Sequence, residues 1–242
     1  MSTERREVEV GGVPVEVVRK DIKNLHVGVY PPNGRVRVAA PLRMGDEAVR
    51  LAVVSRLAWI RRQQAGFADQ ERQSDRELVT GESHYFQGRR YRIDVIEHNG
   101  PPAVSLRNNT TIELRVRRGA DREKREAVLL QWYRRQLRKQ LPPLVAKWEE
   151  IVGVTVAEVR IKRMKTRWGS CNVDAARIWL NLELAKKPRS CLEYILVHEM
   201  VHFLERQHNA RFQAYMDRLM PLWRVHREEL NRLPLAHEDW VY

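Results

Sequence analysis

The chain has 242 residues, of which 43% are hydrophobic and 31% charged, so it is long enough to bury a core. No apolar run approaches the roughly 20 residues of a membrane-spanning helix, and the charged N-terminus lacks the apolar segment of a signal peptide. Two cysteines, Cys171 and Cys191, are too few for a disulfide framework. These features exclude membrane-spanning and disulfide-rich classes and predict a soluble globular protein of the cytoplasm.

The formal net charge is +13, from 44 Lys and Arg against 31 Asp and Glu. Such a balance attracts polyanions, of which nucleic acid is the commonest in cells. A solvated, Arg-rich surface explains the same charge, and no groove-reading motif accompanies it. Nucleic acid therefore remains an alternative partner.

Four short segments near the N-terminus alternate valine with polar residues, at 8–10, 13–17, 27–29 and 36–38. This period of two predicts β-strands, and the turn signal Pro32-Asn33-Gly34 favours an antiparallel meander. An amphipathic helix is then predicted from Asp46, and we expect it to fray in the polar run 69–77. Its apolar positions are Val49, Val53, Leu57 and Ile60.

A second β region is predicted at 91–95 and 112–116, on either side of a turn signal at 99–102. From Asp121 the apolar period becomes helical, and Pro142-Pro143 is expected to kink this helix or divide it in two. The basic residues of this helix predict a solvent-exposed face. A patch that faces the phosphates of a nucleic acid is the alternative. The apolar stripe comprises Leu130, Tyr133, Leu137, Leu141, Leu144 and Trp148.

Two further strands are predicted at 159–161 and 178–184. In the second strand, Trp179, Asn181 and Glu183 are expected on the face opposite the leucines. Ser190 and Glu193 fit a capping box, which predicts a helix start shortly before residue 197. Further helical stretches carry Phe212, Met216 and Leu219, then Trp223 and Leu230 beyond Pro221.

The pattern His-Glu-x-x-His occupies residues 198–202. On a helix, His198 and His202 lie one turn apart on the same face, where two nitrogens can bind one zinc ion at roughly 2.0–2.1 Å. Glu199 lies roughly 100° further round the helix, from where its carboxylate can reach a water on the metal. The motif therefore predicts a metal site together with a general base.

A catalytic zinc site uses three protein ligands, so a third ligand must follow the motif. Glu205 lies on the same face, but at 1.5 Å per residue it is about 10.5 Å from His198 along the axis. His208 would lie about 120° off the metal-binding face, so it can bind only if the helix ends or bends between residues 203 and 207. Asn209 fits such a break because it can cap a new helix. The remaining candidates are His226, Glu228 and Glu229.

An ordered set of segments surrounds the motif. It comprises Arg167-Trp168-Gly169-Ser170-Cys171, Ile178-Trp179-Leu180-Asn181, Tyr194-Ile195-Leu196-Val197 before the motif, and His208-Asn209-Ala210-Arg211-Phe212 after it. Over about residues 160–215 this set resembles the YgjP-like metallopeptidases. Its His-Asn-x-x-Phe ending is similar to that of the SprT-like and Wss-type proteases.

The resemblance implies an α+β fold. A zincin-like catalytic portion, residues 121–242, would pack the H-E-x-x-H helix on a small, mostly antiparallel sheet. A mixed β/α portion, residues 1–120, would precede it with a β meander, a helix and a second β region. We expect the two portions to form one continuous compact unit.

The resemblance also implies that His198, His202 and His208 bind one zinc ion and that Glu199 is catalytic, and it disfavours Glu228 or Glu229 as the third ligand. The expected function is hydrolysis of protein or peptide substrates by a metal-activated water. The alternative is a nucleic-acid-associated protein whose metalloprotease-like domain is accessory or acts on DNA-bound proteins. Four residues are expected in or near the cleft, and all except Trp168 are candidates for stabilising the oxyanion: Arg167, Trp168, Asn181 and Tyr194.

The two cysteines, two further histidines and two tryptophans are given structural interpretations. Cys171 is expected to be a small buried residue beside a glycine, with an inhibitory thiolate on the metal as the alternative. Cys191 is expected to pack in the first turn of its helix. We expect His226 and His237 to be exposed, and Trp168 and Trp179 to belong to the core or to a lid.

Overall fold

The structure, a computed structural model, describes residues 5–30, 34–68, 77–164 and 167–232, with backbone only for 66–68 and 232. Contacts divide the described chain into two compact units, the first comprising the described residues up to 68 and the second those from 77 to 232. The boundary expected at residue 120 falls inside the second unit. The predicted turn at 32–34 and the fraying at 69–77 lie largely outside the described residues, as does His237. Within the described ranges, no helix combines the length and apolar character needed to cross a membrane.

The first unit contains a four-stranded sheet of β1 (Arg5–Val10), β2 (Val13–Lys20), β3 (His26–Tyr30) and β4 (Arg35–Pro41). The four predicted strands are therefore confirmed. Their order is β1-β2-β4-β3, and β2 and β4 are parallel. The predicted antiparallel meander is wrong, because alternating valines determine which face of a strand is buried and not which strand lies beside it.

Two helices follow in the first unit, α1 (Asp46–Val54) and α2 (Leu57–Ala68), where one was predicted. The break lies at Ser55, whose hydroxyl donates a hydrogen bond to the carbonyl of Ala52 at 3.0 Å. Such local bonding competes with helix continuation. The predicted apolar face is nevertheless buried at Val49, Val53 and Ile60, against the valines of the sheet. All candidate site residues belong to the second unit.

The second unit begins with a sheet of β5 (Ser83–Phe86), β6 (Arg89–His98), β7 (Ala103–Leu106) and β8 (Thr111–Arg117), in the order β5-β6-β8-β7. The β6 and β8 strands, which contain the two predicted alternating segments, are parallel neighbours. Helix α3 (Arg122–Val152) follows. It packs into the same hydrophobic core as this sheet, so these elements form one layer pair.

Helix α3 is a single helix that contains Pro142 and Pro143, so the alternative that the prolines divide it is wrong. A proline inside a helix costs about 3 kcal/mol. Buried residues on both sides of the prolines, Leu141 and Leu144, supply packing that offsets this cost. The predicted stripe is buried except for Leu130, which is half-buried, and the buried set of the helix also includes Leu129, Trp132 and Val152.

A third sheet consists of β9 (Glu158–Lys162), β10 (Gly169–Asn172) and β11 (Arg177–Asn181), in the order β10-β11-β9. The β10–β11 pair is antiparallel and the β11–β9 pair is parallel, so this small sheet is mixed. The sheets and helices together define an α+β fold, as predicted. The strand expected to reach Leu184 ends at Asn181 instead, and a 3-10 helix, Leu182–Lys186, follows it.

The strand ends early because the Asn181 side chain caps the 3-10 helix by accepting a hydrogen bond from the backbone N–H of Glu183. Leu182 and Leu184 lie in this tight 3-10 helix and are buried, although their spacing of two residues is also that of one face of a strand. Asn181 and Glu183 are buried as well.

Three helices complete the second unit: α4 (Arg189–Val201), α5 (Ala210–Leu219) and α6 (Trp223–Arg232). The predicted capping box at the start of α4 is wrong. Pro188 is the N-cap and makes no side-chain cap hydrogen bond, so Ser190 is the second helical residue. The Ser190 hydroxyl instead donates to Glu229 at 3.1 Å, and Glu193 accepts a hydrogen bond from Trp148 at 2.8 Å.

Helix α4 is buried on every side over most of its length, from Cys191 to Val201. A helix of this kind lies at the centre of a domain. Its position buries Glu199, Met200 and Val201 of the motif in the core, where a charged group is costly unless it is paired or hydrogen-bonded.

A buried lysine lies at the end of the 3-10 helix. Lys187 is 5% exposed, and its Nζ lies 5.4 Å from the ring centroid of Trp168. Burial lowers the pKa of its ammonium to about 8. An unfolded lysine has a pKa of about 10.4, so between these values the unfolded chain binds more protons than the folded one. The free energy of unfolding contributed by Lys187 therefore rises with pH in this window.

Replacing Lys187 with Met is expected to remove this rise. The difference between wild type and Lys187→Met should change by up to about 3 kcal/mol between about pH 8 and pH 10.5, at about 1.4 kcal/mol per pKa unit. Urea unfolding of both proteins at the two pH values measures the change. Cys171 and Cys191 also titrate in this pH range in the unfolded chain, but their contributions to the free energy of unfolding cancel because both proteins contain them. Parallel pH profiles for the two proteins would contradict the burial of a charged lysine.

Candidate metal centre

Three imidazoles converge at the C-terminal end of α4. The Nε2 atoms of His198 and His208 are 2.9 Å apart, and one ligand nitrogen from each of His198, His202 and His208 lies within 4.8 Å of the others. No other group of this kind is found in the described part of the chain. Two of the three histidines are half-buried and His208 is exposed, so the cluster is open on one side.

The donor chemistry fits zinc. Burial lowers the pKa of His198 to about 3 and also lowers the pKa of His208, so both rings are neutral at physiological pH. A metal-binding imidazole must be neutral. Three imidazoles with one open side are the donor set of a catalytic zinc ion, which leaves its fourth position for water.

The chain break that the third ligand requires is present. Helix α4 ends at Val201 with His202 as its C-cap, and the chain then turns through Phe203 and Leu204. Helix α5 begins after Asn209, whose side-chain oxygen accepts a hydrogen bond from the backbone N–H of Phe212 at 3.0 Å. The predicted end of the helix within one turn of His202 is confirmed, and it brings His208 back to the other two histidines.

The turn also orients the second histidine. His202 Nδ1 lies 3.1 Å from the backbone carbonyl oxygen of Glu205. A proton on Nδ1 would donate to this carbonyl and leave Nε2 free for a metal, which is the usual arrangement of a ligating histidine. Glu205 therefore acts through its backbone. Its carboxylate instead accepts a hydrogen bond from the N–H of Gln207 at 3.1 Å.

The other candidates for a third ligand lie outside the cluster. Glu229 on α6 accepts a hydrogen bond from Ser190, and its carboxylate is 4.0 Å from His226 Nδ1. His226 is half-buried, with 22% of its side chain exposed, so the prediction that it is exposed is wrong. Its helix, α6, packs against α4.

Phe212 forms the floor of the histidine cluster. Its ring centroid lies 4.9 Å from that of His198, 4.8 Å from that of His202 and 4.7 Å from that of His208. It is 2% exposed. One buried aromatic ring therefore contacts all three imidazoles and limits how each can rotate. The sequence contains this residue in the His-Asn-x-x-Phe ending, but its contact with all three rings was not predicted.

Glu199 is a buried carboxylate beside the histidines, with 6% of its surface exposed. Burial raises its pKa to about 7, against the opposing effect of the Arg167 charge. A pKa near neutrality suits a group that accepts a proton and later returns it. Strongly perturbed carboxylates in a cleft are also candidates for catalytic residues in general.

A cleft of about 740 Å³ opens in front of these residues. One wall is formed by residues 169–174, which are β10 and the turn after it, and the other by the histidines, Glu199 and Arg206. Arg206 and Asp174 form an ion pair of 2.9 Å between the two walls, and both side chains are exposed. Neither residue was singled out from the sequence, because their proximity arises only in the folded chain.

Among the four predicted cleft residues, Arg167 lines the cleft and the other three do not. Trp168 is half-buried against the core, below the ammonium of Lys187. Asn181 is buried, and its amide nitrogen donates to the carbonyls of Met164 and Arg167, each at 2.8 Å. Tyr194 is 4% exposed. Its ring lies 5.9 Å from that of His198 and 6.4 Å from that of Trp223.

Two further residues affect the site. Arg227 on α6 is exposed, and its charge contributes to lowering the pKa of His198 and His208. Cys171 lies half-buried in the cleft wall rather than fully buried as expected. Burial raises the pKa of its thiol to about 12, so it is protonated at neutral pH. Cys191 is fully buried, in agreement with its predicted packing role.

A buried carboxylate beside three converging imidazoles, with an open cleft in front, is the arrangement of a metal-dependent peptidase. The model of the YgjP-like metallopeptidase domain matches residues 24–233, so the chain belongs to this family and is a peptidase, hence a hydrolase. This confirms the resemblance noted in the sequence. No curated protein matches the chain.

One solved structure that is similar to part of the chain is the metallopeptidase zymogen of Pyrococcus abyssi abylysin. It is 20% identical, with a TM-score of 0.34, over 38% of this chain and 97% of the other. A similarity of this extent carries no argument about the present site.

Proposed function

We propose that this metallopeptidase has a zincin-like catalytic domain, in which His198, His202 and His208 hold one zinc ion. It hydrolyses peptide bonds with Glu199 as general base. The observation that carries the proposal is the convergence of three imidazoles beside a buried carboxylate whose pKa is near neutral. Zinc, when bound, lowers the pKa of its water towards about 7 and polarises the scissile carbonyl.

The Glu199 carboxylate has two tasks in this reaction. One of its oxygens takes the proton from the attacking water, and the same oxygen then gives that proton to the nitrogen of the leaving amine. Burial raises the pKa of the Glu199 carboxyl, so its carboxylate is a stronger base than that of an exposed glutamate. Arg167 lies in the cleft wall, which makes it the best placed of the three predicted candidates for stabilising the oxyanion.

The expected substrate is an extended protein or peptide segment. The β10 strand is at the edge of its sheet and lines the cleft, so its outer backbone groups can pair with such a segment. The Ser170 and Cys171 side chains of this strand are small and leave room for the substrate main chain. Backbone pairing would supply affinity with little preference for particular side chains.

The net charge of +13 is the observation behind the nucleic-acid alternative. The family model supports the peptidase and gives no support to a binding protein with an accessory domain. We therefore propose one function. Binding to DNA-attached proteins and a cytoplasmic location stay predictions from the sequence.

The test is a measurement of metal content and of metal-dependent cleavage. We expect one zinc ion per purified chain and cleavage of casein that 1,10-phenanthroline abolishes and added zinc restores. The isomer 1,7-phenanthroline, which does not chelate, is the matched control and should leave cleavage unchanged. Substantially less than one zinc per chain, or cleavage that survives chelation, would show that the proposed function is wrong.

A further inference from the structure

The β10 backbone passes unusually close to the Glu199 side chain at Gly169. A Cβ atom built on Gly169 would lie 2.6 Å from Glu199 Oε1, 2.8 Å from Cγ and 3.0 Å from Cδ. Side chains essentially never tolerate separations below 3.0 Å. A residue larger than glycine at this position must therefore displace the Glu199 carboxylate.

The backbone conformation does not require this glycine. Gly169 is absent from the residues with positive φ, unlike Gly153, which ends α3 in the left-handed region. A glycine within a strand is less stable than an alanine there, so its presence needs another reason. A close approach by a neighbouring group is one such reason, and the Glu199 side chain provides it.

The position of the Glu199 carboxylate also depends on how its side chain packs. Within the described residues, no hydrogen-bond donor to the Glu199 carboxylate is found, and the side chain is only 6% exposed. The β10 backbone is fixed by its ladder with β11, in which Gly169 pairs with Leu180. The strand is therefore a rigid surface against which the flexible end of Glu199 rests.

We propose that Gly169 is a positioning residue for Glu199, and that its missing side chain allows the carboxylate to rest against β10 in the orientation that catalysis uses. The proposal rests on the proposed role of Glu199 as general base. Gly169 itself touches no reacting atom and acts through the carboxylate. The segment Arg167-Trp168-Gly169-Ser170-Cys171 thus supplies a cleft wall and also a constraint on the base.

A methyl group at residue 169 should reduce catalysis much more than binding. A misplacement of about 1 Å in a catalytic group costs on the order of 100-fold in rate. We expect Gly169→Ala to lower kcat by about this factor while KM stays within about threefold, because the outer edge of β10 remains available to a peptide. Zinc content should remain at the wild-type value, since the three atoms nearest a Cβ at this position all belong to Glu199.

A double-mutant cycle tests whether the effect acts through Glu199. Alanine at residue 199 lacks Cγ, Cδ and both oxygens, which are the atoms that the new methyl group would meet. Gly169→Ala should therefore lower kcat about 100-fold in the wild-type background but change the residual kcat by less than about threefold in a Glu199→Ala background. Equal losses in the two backgrounds would overturn the proposal. Gly45→Ala is the control, since a Cβ there meets nothing within 4 Å and the backbone φ is −66°.

Crystal structures of wild type and Gly169→Ala separate this inference from the proposed function. A displaced Glu199 carboxylate with unchanged β10 supports the positioning role even if wild type cleaves no tested substrate. A carboxylate that overlays on the wild-type one overturns the positioning role even if the protein is an active peptidase. If Gly169→Ala fails to fold, Gly169→Ala combined with Glu199→Ala should fold, and failure of that double variant would also overturn the proposal.

Discussion

Glu199→Gln is expected to lower kcat for peptide cleavage by about 10²- to 10⁴-fold, the range for loss of a general acid–base group. Glutamine has nearly the same shape as glutamate, so the buried packing around residue 199 is kept. It cannot accept the proton of the attacking water. Steady-state kinetics with a fluorogenic peptide measure the change, and zinc content should stay at one per chain because residue 199 is outside the ligand cluster.

Glu229→Gln is the matched control for this substitution. Glu229 lies on α6, outside the histidine cluster, and a glutamine oxygen can still accept the hydrogen bond from Ser190. This variant should cleave the peptide at the wild-type rate. Undiminished cleavage by Glu199→Gln would show that Glu199 is not the general base.

His208→Ala is expected to weaken zinc binding by more than about 100-fold. Removing a residue that only hydrogen-bonds to a metal ligand already costs up to about 100-fold in affinity, and removing a ligand itself should cost more. The variant loses one of three imidazoles, and two histidines do not form a catalytic zinc site. Peptide cleavage should fall with zinc occupancy. Competition with a chelator of known affinity measures the zinc dissociation constant.

His226→Ala is the control for the histidine series. His226 is half-buried on α6 and does not belong to the cluster, so its removal should leave the zinc dissociation constant unchanged. Unchanged zinc binding in His208→Ala would contradict the proposed ligand set. A loss of zinc in Glu228→Gln or Glu229→Gln would then support the later helix as the source of the third ligand.

The elements that were predicted correctly depend on local rules. Alternating valines predicted all four strands of the first unit, and a helical apolar stripe predicted α3. The end of the helix after His202 was predicted because the resemblance implied His208 as the third ligand, and six more residues of helix would turn His208 away. Asn209 supplies the cap for the next helix, as its residue type suggested.

The wrong predictions concern local sequence patterns that two different structures can satisfy. Leu182 and Leu184 have strand spacing but are buried from a 3-10 helix, because Asn181 caps that helix. Ser190 and Glu193 match a capping box, but Pro188 is the N-cap of the helix, and both side chains bind partners on other helices. The parallel pairing of β6 with β8 is a third case, since strand alternation contains no information about partners.

The sequence by itself determined the spacing of His198 and His202 and the place of Glu199 beside them, and it determined the need for a break before His208 once the resemblance implied His208 as the third ligand. These follow from the fixed rise and rotation of one helix. Only the tertiary structure decided that Gly169 rests against Glu199, that Phe212 lies under three imidazoles, and that Asn181 and Tyr194 lie outside the cleft wall. Such contacts join segments that are distant along the chain, and they depend on how all the buried side chains fill one close-packed core.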